Sequence, residues 1–286
     1  MTAQPTLPQR VGVYGGGRMG AGIAHAFVVA GAEVRVVEGT TDAASAARER
    51  VTRSLTRAEE RGGMGMTLAA ALDRVKVTTD PADLADAELV IEAVPESAEL
   101  KRRLLAQVET IAPDAVLATN TSSLSVDAIA TGLRRPERFL GLHFFNPVPA
   151  SSLVDIVVGD RTEEALVARA GGWVEGLGKS AIVVTDTPGF ASSRLGVALA
   201  LEAMRMVEEG VASAEDIDTA MTLGYKHPMG PLRTTDVVGL DVRLAIAEHL
   251  ATELGERFEP PGILRAKVAA GELGRKSGRG FYAWKA

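Results

Sequence analysis

The sequence contains no cysteine, which excludes disulfide bonds, thiolate nucleophiles and cysteine-based metal sites. Disulfide bonds are rare in cytoplasmic proteins, so a sequence without cysteine is compatible with the cytoplasm, and we expect a cytoplasmic location. Histidine is scarce as well, with four in 286 residues, and no cluster of His, Asp and Glu has the spacing of a metal site. We therefore expect no metal.

Basic residues are not in surplus, since 31 Lys and Arg stand against 37 Asp and Glu, for a net charge of -6. Nucleic-acid-binding proteins carry a basic patch or stripe, so we expect no nucleic-acid partner. No apolar run approaches the roughly 18 residues of a membrane span. The leader MTAQPTLPQR also lacks the apolar stretch of a signal peptide, and the sequence predicts a globular protein without a membrane segment.

What the chain does contain is a regular alternation of β-branched runs and Ala-rich helical stretches. Strands separated by helices indicate βαβ units on a parallel sheet, and nearly all-apolar runs suit strands covered on both faces. The predicted strands are RVGVY, EVRVV, RVKVT, ELVIEAV, AVLATN, FLGLHF, LVDIVV and SAIVV.

After TDTPGF the pattern becomes helical, with helices predicted at 191–210, 214–223 and 236–254. The predicted fold is therefore α/β, a Rossmann-type doubly wound and mostly parallel sheet followed by an all-α domain. We place the boundary between residues 1–187 and 188–286. Residues 41–74 form a predicted helical insertion that RGGMG interrupts.

A glycine-rich loop follows the first predicted strand and precedes a helix, with glycines in G-x-G-x-x-G spacing. The first glycine permits a tight turn, the second lets the backbone approach a pyrophosphate, and the third packs helix on strand. With strand, helix and a later acid all present, this loop predicts dinucleotide binding better than a simple strand-to-helix connection. The predicted contacts are Gly15, Gly17, Arg18, Met19 and Gly20.

The acid is Glu38, at the end of the second predicted strand. Its carboxylate can accept hydrogen bonds from the adenosine ribose and would repel a 2′-phosphate, so the predicted cofactor is NAD. Arg35 lies close enough along the chain to leave NADP open. FAD would share the loop, but the helical second half does not suggest an FAD-type substrate domain.

One of the four histidines, His143, lies at the end of a predicted strand, where open α/β sheets bind their ligands. A hydrogen-bonded core histidine is the alternative. Asn146 follows closely and could donate to a substrate oxygen, while Asp155 on the next strand could orient the imidazole. A base beside a nicotinamide cofactor suggests removal of a hydroxyl proton during hydride transfer. His25, His227 and His249 are interpreted as structural.

Together these motifs resemble the short-chain L-3-hydroxyacyl-CoA dehydrogenase family, including its bacterial 3-hydroxybutyryl-CoA members. The resemblance covers almost the whole chain and rests on GGGRMGAGIA, VIEAVPESAELKRRL, ATNTSSL, GLHFFNPVP, DTPGF, HPMGPLRTTDVVGLD and GRKSGRGFY. It implies NAD-dependent oxidation of an (S)-3-hydroxyacyl-CoA to the 3-oxoacyl-CoA, or the reverse reduction. It also implies a homodimer whose helical domain closes over the acyl-CoA thioester.

The resemblance assigns roles to matching residues. Glu96 and Lys101 match residues along the nicotinamide side of the cofactor, and Ser122 matches the serine near the substrate's 3-oxygen. His143 matches the catalytic base, and Asn146 matches the asparagine that holds the reacting group. The residues alone also allow Ser122 as a helix N-cap, and Glu96 and Lys101 as first-turn and surface charges of a helix.

The chain departs from the family pattern at several positions. Asp155 replaces the usual Glu and is one methylene shorter, so the pair with the histidine must sit closer, bridge through water or be weaker. Ser193, a predicted substrate contact, replaces an asparagine and keeps only a hydroxyl. The segment ASSL after NPVP is smaller and more polar than usual. These changes bear on rate and acyl-group preference.

The helical insertion contacts coenzyme A in the family, and here it contains GGMGM where a continuous charged helix is common. Arg57 and Arg61 could meet phosphates, but the charge alternation TRAEERG is more typical of an exposed helix face.

Two other functions fit the same residues. One is an NAD-dependent dehydrogenase of a free 3-hydroxy acid or sugar acid. The other is a dinucleotide-binding protein without turnover, since two positions around the substrate have changed. Retention of His143, Asn146 and Ser122 favours the enzyme over the second alternative.

Overall fold

The computed structural model describes residues 7–284, so the first six residues of the leader lie outside the described part. Eight strands form a single sheet in the order β3-β2-β1-β4-β5-β6-β7-β8. The strands are β1 (Arg10–Tyr14), β2 (Glu33–Val37), β3 (Val75–Thr78), β4 (Leu89–Glu92), β5 (Val116–Thr119), β6 (Phe139–Phe144), β7 (Leu153–Val158) and β8 (Ser180–Thr185). All the strand pairs are parallel except β6 with β7. The predicted mostly parallel sheet is confirmed.

Helices separate most of the strands and make up most of the second half of the chain. They are α1 (Arg18–Val29), α2 (Thr41–Glu60), α3 (Leu68–Asp73), α4 (Ala98–Ile111), α5 (Val126–Ala130), α6 (Glu164–Gly176), α7 (Ser192–Glu208), α8 (Ala214–Thr219), α9 (Pro231–Val238), α10 (Leu240–Leu254) and α11 (Gly262–Ala269). A π-helical turn, Ala220–Gly224, follows α8 directly. The predicted insertion is α2 and α3, with residues 61–67 between them.

The sheet's hydrophobic pattern explains its layered arrangement. Every residue of β4, β5 and β6 is buried, as expected for strands covered on both faces. At the edge, β8 has only exposed and half-buried residues, and Val183 is 60% exposed. The apolar runs therefore mark the central strands, where the side chains of both faces are removed from water.

The strand order reverses at β1, which is hydrogen-bonded to β2 on one side and to β4 on the other. The chain builds β2 and β3 outward in one direction, and β4, β5 and β6 in the other. A ligand site is expected beyond the carboxyl ends of the strands at such a switch point. The glycine loop, which joins β1 to α1, lies at this position.

The antiparallel pairing of β6 with β7 brings two polar residues of the core together. His143, near the carboxyl end of β6, is directly opposite Asp155, near the start of β7. Because the two strands run in opposite directions, both residues lie at the edge of the sheet that carries the switch point.

Contacts divide the chain into two compact units, with the division after Thr187 and before Pro188. The C-terminal unit is helical and has its own apolar core, formed by residues of α7 to α11 such as Met204, Leu232 and Leu250. The predicted helix 236–254 is wrong in its start: α9 and α10 meet at Gly239, whose φ of 112° is open to glycine but strained for other residues.

A buried carboxylate holds the end of the described chain against α9. Asp236 is fully buried and accepts hydrogen bonds from the backbone N–H groups of Phe281 and Tyr282, each at 2.9 Å, and from the indole of Trp284 at 2.8 Å. The guanidinium of Arg233 lies 5.1 Å from the ring centroids of both Tyr282 and Trp284. The segment GRGFYAW is therefore a structural part of the C-terminal unit.

Candidate active site

The glycine loop has the geometry that its spacing predicts. Gly15 has a φ of 95°, and its N–H donates to the carbonyl of Val37 at 2.8 Å, which fixes the start of the loop against the end of β2. A Cβ on Gly20 would lie 1.7 Å from the carbonyl oxygen of Gly15, so only glycine allows α1 to start this close to β1. A Cβ on Gly17 would meet no atom within 4 Å, so the loop is open there.

The start of α1 fits a pyrophosphate. Gly17 is the N-cap residue and supplies no side-chain acceptor, so the first N–H groups of the helix are not capped by a side chain. Those N–H groups and the positive end of the helix dipole favour an anion. Arg18 and Met19 are the first two residues of this helix and lie beside the open part of the loop.

Glu38 is tied to the loop on the side where a ribose would bind. Glu38 comes directly after β2, and its carboxylate accepts the N–H of Gly16 at 2.6 Å. This bond holds the carboxylate next to the glycines of the loop. Arg35 makes a two-point ion pair with Asp86, at 2.5 and 3.2 Å. Because this pair engages the guanidinium, Arg35 does not offset the repulsion between Glu38 and a 2′-phosphate, and the site is suited to NAD.

The His143 and Asp155 side chains form a direct pair. Nδ1 of His143 lies 3.0 Å from Oδ2 of Asp155, and the side chains are only 8% and 0% exposed. Direct pairing across the strands makes up for the missing methylene of Asp155. A hydrogen bond from Nδ1–H to the carboxylate leaves the lone pair of the neutral imidazole on Nε2, the atom that would accept a proton.

Glu96, Lys101 and Ser122 form one connected group. The ammonium of Lys101 lies 3.2 Å from Glu96, and Glu96 accepts the N–H of Ser122 at 2.9 Å and the hydroxyl of Thr121 at 2.6 Å. Burial raises the pKa of Glu96, but the attraction of Lys101 and the bonds from Thr121 and Ser122 outweigh it, so the net pKa is lowered. Glu96 is therefore a carboxylate at neutral pH.

The alternative interpretations of these residues do not hold. The N-cap of α5 is Ser125, not Ser122, and the N-cap of α4 is Ser97, one residue after Glu96. Lys101 is on α4 but is 1% exposed, so it is not a surface charge. Their geometry is that of a polar group assembled at the ends of β4 and β5.

Asn146 lies two residues beyond β6 and is exposed. Lys179 fixes the loop that follows it, because its ammonium donates to the carbonyls of Val148 at 2.7 Å and Ser151 at 2.5 Å. Burial lowers the pKa of Lys179. The loop that follows Asn146 is thus held by a lysine that sequence reasoning did not single out.

Two further site residues were missed. Glu92, the last residue of β4, pairs with Lys101, and Asn120, just after β5, accepts the N–H of Phe144 at 2.9 Å. An acid that ends the apolar run LVIE is a signal for Glu92, because a charge buried there needs a cation. Asn120 gives no signal distinct from its neighbours in NTSS.

The other predicted residues lie outside this group. Ser193 is the second residue of α7 in the C-terminal unit and is half-buried. Arg57 and Arg61, at the end of α2, are exposed. His25 on α1 is buried, with Nδ1 3.0 Å from the hydroxyl of Ser54, which suits a structural histidine.

Among residues 7–284, no three acidic or histidine side chains are grouped so as to hold a metal ion. Within the same range, no helix is both long enough and apolar enough to cross a membrane.

These features define a class of protein. A sheet with a dinucleotide loop at its switch point, and a buried histidine–aspartate pair at the same edge, is the arrangement of a nicotinamide-dependent dehydrogenase. The paired histidine supplies a base and the loop supplies a place for the hydride acceptor.

Comparison with known proteins gives the family. Residues 10–187 match the model of the 3-hydroxyacyl-CoA dehydrogenase NAD-binding domain, and residues 189–284 match the model of the 3-hydroxyacyl-CoA dehydrogenase C-terminal domain. The chain therefore belongs to the 3-hydroxyacyl-CoA dehydrogenase family, an NAD-dependent group of oxidoreductases.

Individual relatives cover nearly the whole chain. A 3-hydroxybutyryl-CoA dehydrogenase of Mycobacterium tuberculosis is 45% identical, over 96% of this chain and 98% of its own. The crystal structure of M. tuberculosis FadB2 matches with a TM-score of 0.93 at 44% identity, covering 98% of this chain and 100% of that one. (S)-3-Hydroxybutyryl-CoA dehydrogenase PaaH1 from Ralstonia eutropha matches at 0.91 and 39% identity, with coverage of 98% and 100%.

Proposed function

We propose that this protein interconverts (S)-3-hydroxyacyl-CoA and 3-oxoacyl-CoA with NAD. We further propose that the acyl chain of the substrate is short and that 3-hydroxybutyryl-CoA is the preferred substrate. The observation that carries the proposal is the buried His143–Asp155 pair at the edge of the sheet that also bears the NAD loop. Similarity to 3-hydroxybutyryl-CoA dehydrogenases over nearly the full chain supports the choice of substrate.

In the oxidative direction, Nε2 of His143 accepts the proton of the substrate's 3-hydroxyl group. Asp155 stabilises the imidazolium that forms, because its carboxylate lies 3.0 Å from Nδ1. In the reductive direction the same imidazolium returns the proton to the 3-oxygen. NAD, when bound, supplies the acceptor for the hydride from C3.

Neighbouring residues hold the reacting groups. Ser122 has its N–H bonded to Glu96 at 2.9 Å but its hydroxyl at a longer 3.4 Å, so the hydroxyl can turn toward the substrate's 3-oxygen. Asn146 offers amide N–H groups to the same oxygen. Ser193 contacts the substrate with its hydroxyl.

The cofactor is held by the residues of the glycine loop and by Glu38. Gly15, Gly17, Arg18, Met19 and Gly20 bind the pyrophosphate, mainly through their backbone. Glu38 accepts the ribose hydroxyls, and Glu96 with Lys101 lies along the nicotinamide side.

The test is oxidation of (S)- and (R)-3-hydroxybutyryl-CoA with NAD⁺ and NADP⁺. We expect turnover with the S enantiomer and NAD⁺, and a loss of about 10²-fold or more in kcat for His143→Gln. His249→Gln, a half-buried histidine of α10, is the matched control and should retain full activity. A folded His143→Gln variant with wild-type kcat would contradict the role of His143.

We also propose that the protein is a homodimer that associates through its C-terminal unit and works in the cytoplasm. Large apolar side chains are exposed on this unit, with Leu195, Leu223 and Tyr225 at 72%, 68% and 76%. Exposed apolar groups of this size favour a protein interface. Light scattering should give twice the chain mass for the wild type and the mass of a single chain for Leu223→Glu. A wild-type monomer would refute the proposed dimer.

The cytoplasmic location is tested by cell fractionation.

A further inference from the structure

Glu92 is a buried acid that the proposed mechanism leaves without a role. It is the last residue of β4 and is 1% exposed. Its two carboxyl oxygens accept the ammonium of Lys101 at 2.8 and 2.9 Å, and one also accepts the hydroxyl of Thr119 at 2.7 Å. The backbone N–H of Val94 donates to it at 2.6 Å. All of these partners are hydrogen-bond donors, and one of them, the ammonium of Lys101, is a cation.

Lys101 joins this acid to the residues assigned to the nicotinamide side. Besides its bonds to Glu92, its ammonium lies 3.2 Å from Glu96 and is itself 1% exposed. Glu96 in turn holds the N–H of Ser122 and the hydroxyl of Ser123, the latter at 3.1 Å. A continuous chain of charge-assisted contacts therefore runs from the buried end of β4 to Ser122.

The charge of this group does not balance. Two carboxylates, Glu92 and Glu96, share one ammonium, and the lowered pKa of Glu96 keeps it ionised at neutral pH. The Glu96 side chain is 36% exposed, whereas Glu92 and Lys101 are sealed from water. One negative charge in excess is thus held at the place where the nicotinamide ring is proposed to bind. Because Glu92 and Lys101 are buried, little solvent screens their charges.

We infer that Glu92 is a positioning residue of the nicotinamide site that anchors Lys101 and sets the charge of the site, shifting its preference toward the oxidised cofactor. The oxidised nicotinamide ring carries one positive charge more than the reduced ring, so an excess negative charge nearby stabilises the oxidised form selectively. This inference rests on the proposed function, because it places Glu96 and Lys101 beside that ring. Glu92 does not touch the cofactor and acts through Lys101.

The measurement is the ratio of the dissociation constants of NAD⁺ and NADH, obtained by NADH fluorescence and its displacement by NAD⁺. Glu92→Gln keeps the side-chain shape but removes one negative charge, and it should raise the ratio about three- to tenfold. Coulomb attraction across roughly 10 Å at an effective dielectric constant of about 20 gives about 17-fold before salt screening, and screening reduces the shift to the expected range. Raising the ionic strength should reduce the difference.

A double variant separates charge from geometry. Glu92→Gln combined with Lys101→Met removes one charge of each sign, so the site keeps the net charge of the wild type while the ion pair is lost. We expect its ratio to stay within about twofold of the wild type, since the Coulomb contribution is retained. This variant also keeps the inference testable if Glu92→Gln alone does not fold, because it leaves no buried ammonium short of a partner.

Thr119→Val is the control for packing, since it removes one hydrogen bond to Glu92 and no charge. Its ratio should match the wild type. The inference is overturned if folded Glu92→Gln has the wild-type ratio, or if the double variant shifts the ratio as much as the single one. Because binding alone is measured, a protein that binds both cofactors but turns over no thioester would fail the proposed function without deciding this test.

Discussion

At the scale of single residues, the pairing of His143 with Asp155 depends on strand register. The two residues face each other across β6 and β7, and this shortens the gap enough for a direct contact of 3.0 Å. The sequence offered three outcomes for the shorter acid: a closer pair, a water bridge or a weaker pair. The structure selects the first, and periodicity could not, because register across strands is set by the fold.

Asp155→Asn should lower kcat for 3-hydroxybutyryl-CoA by roughly 10²- to 10³-fold and leave KM within about threefold. The amide cannot stabilise the imidazolium and can force the wrong tautomer of His143, while the contacts that bind the thioester remain. Steady-state kinetics over a range of substrate concentrations measures both parameters. An unchanged kcat in the folded variant would show that Asp155 does not support the base.

His25 gives the protein a pH-dependent stability. Burial, and secondarily repulsion from Lys179, lower the pKa of His25 below its usual value. The unfolded state therefore binds the proton more readily, so the stabilisation is fully present above the ordinary histidine pKa and is lost as pH falls through the lower folded pKa. Below about pH 6.5 the folded wild type should progressively lose stability.

His25→Gln should reduce this loss. Thermal unfolding between about pH 7.5 and about pH 5.5 should show a smaller decrease in Tm for the variant than for the wild type, by an amount set by about 1.4 kcal/mol per unit of pKa difference. His249→Gln, on the half-buried face of α10, should keep the wild-type slope. Equal slopes for His25→Gln and the wild type would contradict the assignment.

At the scale of secondary-structure elements, the loop after β6 is held by a side chain from another part of the chain. Lys179, just before β8, donates to the carbonyls of Val148 and Ser151 and so ties down residues 147–151 beyond Asn146. If an apolar side chain replaces Lys179, these two carbonyls lose their hydrogen-bond donor.

Lys179→Met should lower kcat/KM for the thioester about three- to tenfold while KM for NADH stays the same, because misplacing a substrate-binding group weakens its contacts without touching the glycine loop. Lys76→Met is the control. Lys76 is on β3, at the opposite edge of the sheet from β8, and its replacement removes a surface ion pair with Asp83. Equal losses for both cofactor and thioester would indicate general unfolding instead.

Most elements were predictable from the sequence, and the failures have a physical cause. The apolar β-branched runs identify the strands of the sheet because burial on both faces leaves a continuous apolar signal. The antiparallel direction of β7 leaves no such signal, since the pattern of apolar residues does not depend on the direction of a strand. The break at Gly239 was missed because apolar residues continue on both sides of it, and only its φ of 112° reveals the turn.

The site divides in the same way. The glycine loop, Glu38 and His143 were predictable because their residue types and spacing carry the chemistry. Glu92 was missed although an acid at the end of an apolar run is a signal for a buried ion pair. Lys179 could not be predicted, because the carbonyls that it binds are in the loop after β6, about 30 residues earlier in the chain. The contacts of Lys179 arise only after the chain has folded.

At the scale of the whole molecule, the C-terminal unit depends on a buried carboxylate that gathers the end of the described chain. Asp236 accepts hydrogen bonds from two backbone N–H groups and one indole N–H of the segment that ends this unit. Replacing the carboxylate with an amide weakens charge-assisted bonds and turns one acceptor into a donor facing other donors.

Asp236→Asn should lower the free energy of unfolding by roughly 2–4 kcal/mol, measured by urea denaturation followed by tryptophan fluorescence. Asp241→Asn, which breaks a partly exposed ion pair with Lys276, is the matched control and should lose less than about 1 kcal/mol. Similar losses for the two variants would mean that the buried clamp adds no more than a surface pair.

The central claim is that an NAD site and a histidine–aspartate pair on one edge of the sheet make this protein a dehydrogenase of 3-hydroxyacyl-CoA thioesters. The most direct measurement is NADH consumption with acetoacetyl-CoA, for the wild type and for His143→Ala, with free acetoacetate as a parallel substrate. We predict rapid thioester turnover that the variant loses, and little turnover of the free acid. Folded, NADH-binding protein that fails to reduce acetoacetyl-CoA would contradict the account, and reduction of acetoacetate alone would identify a free-acid dehydrogenase instead.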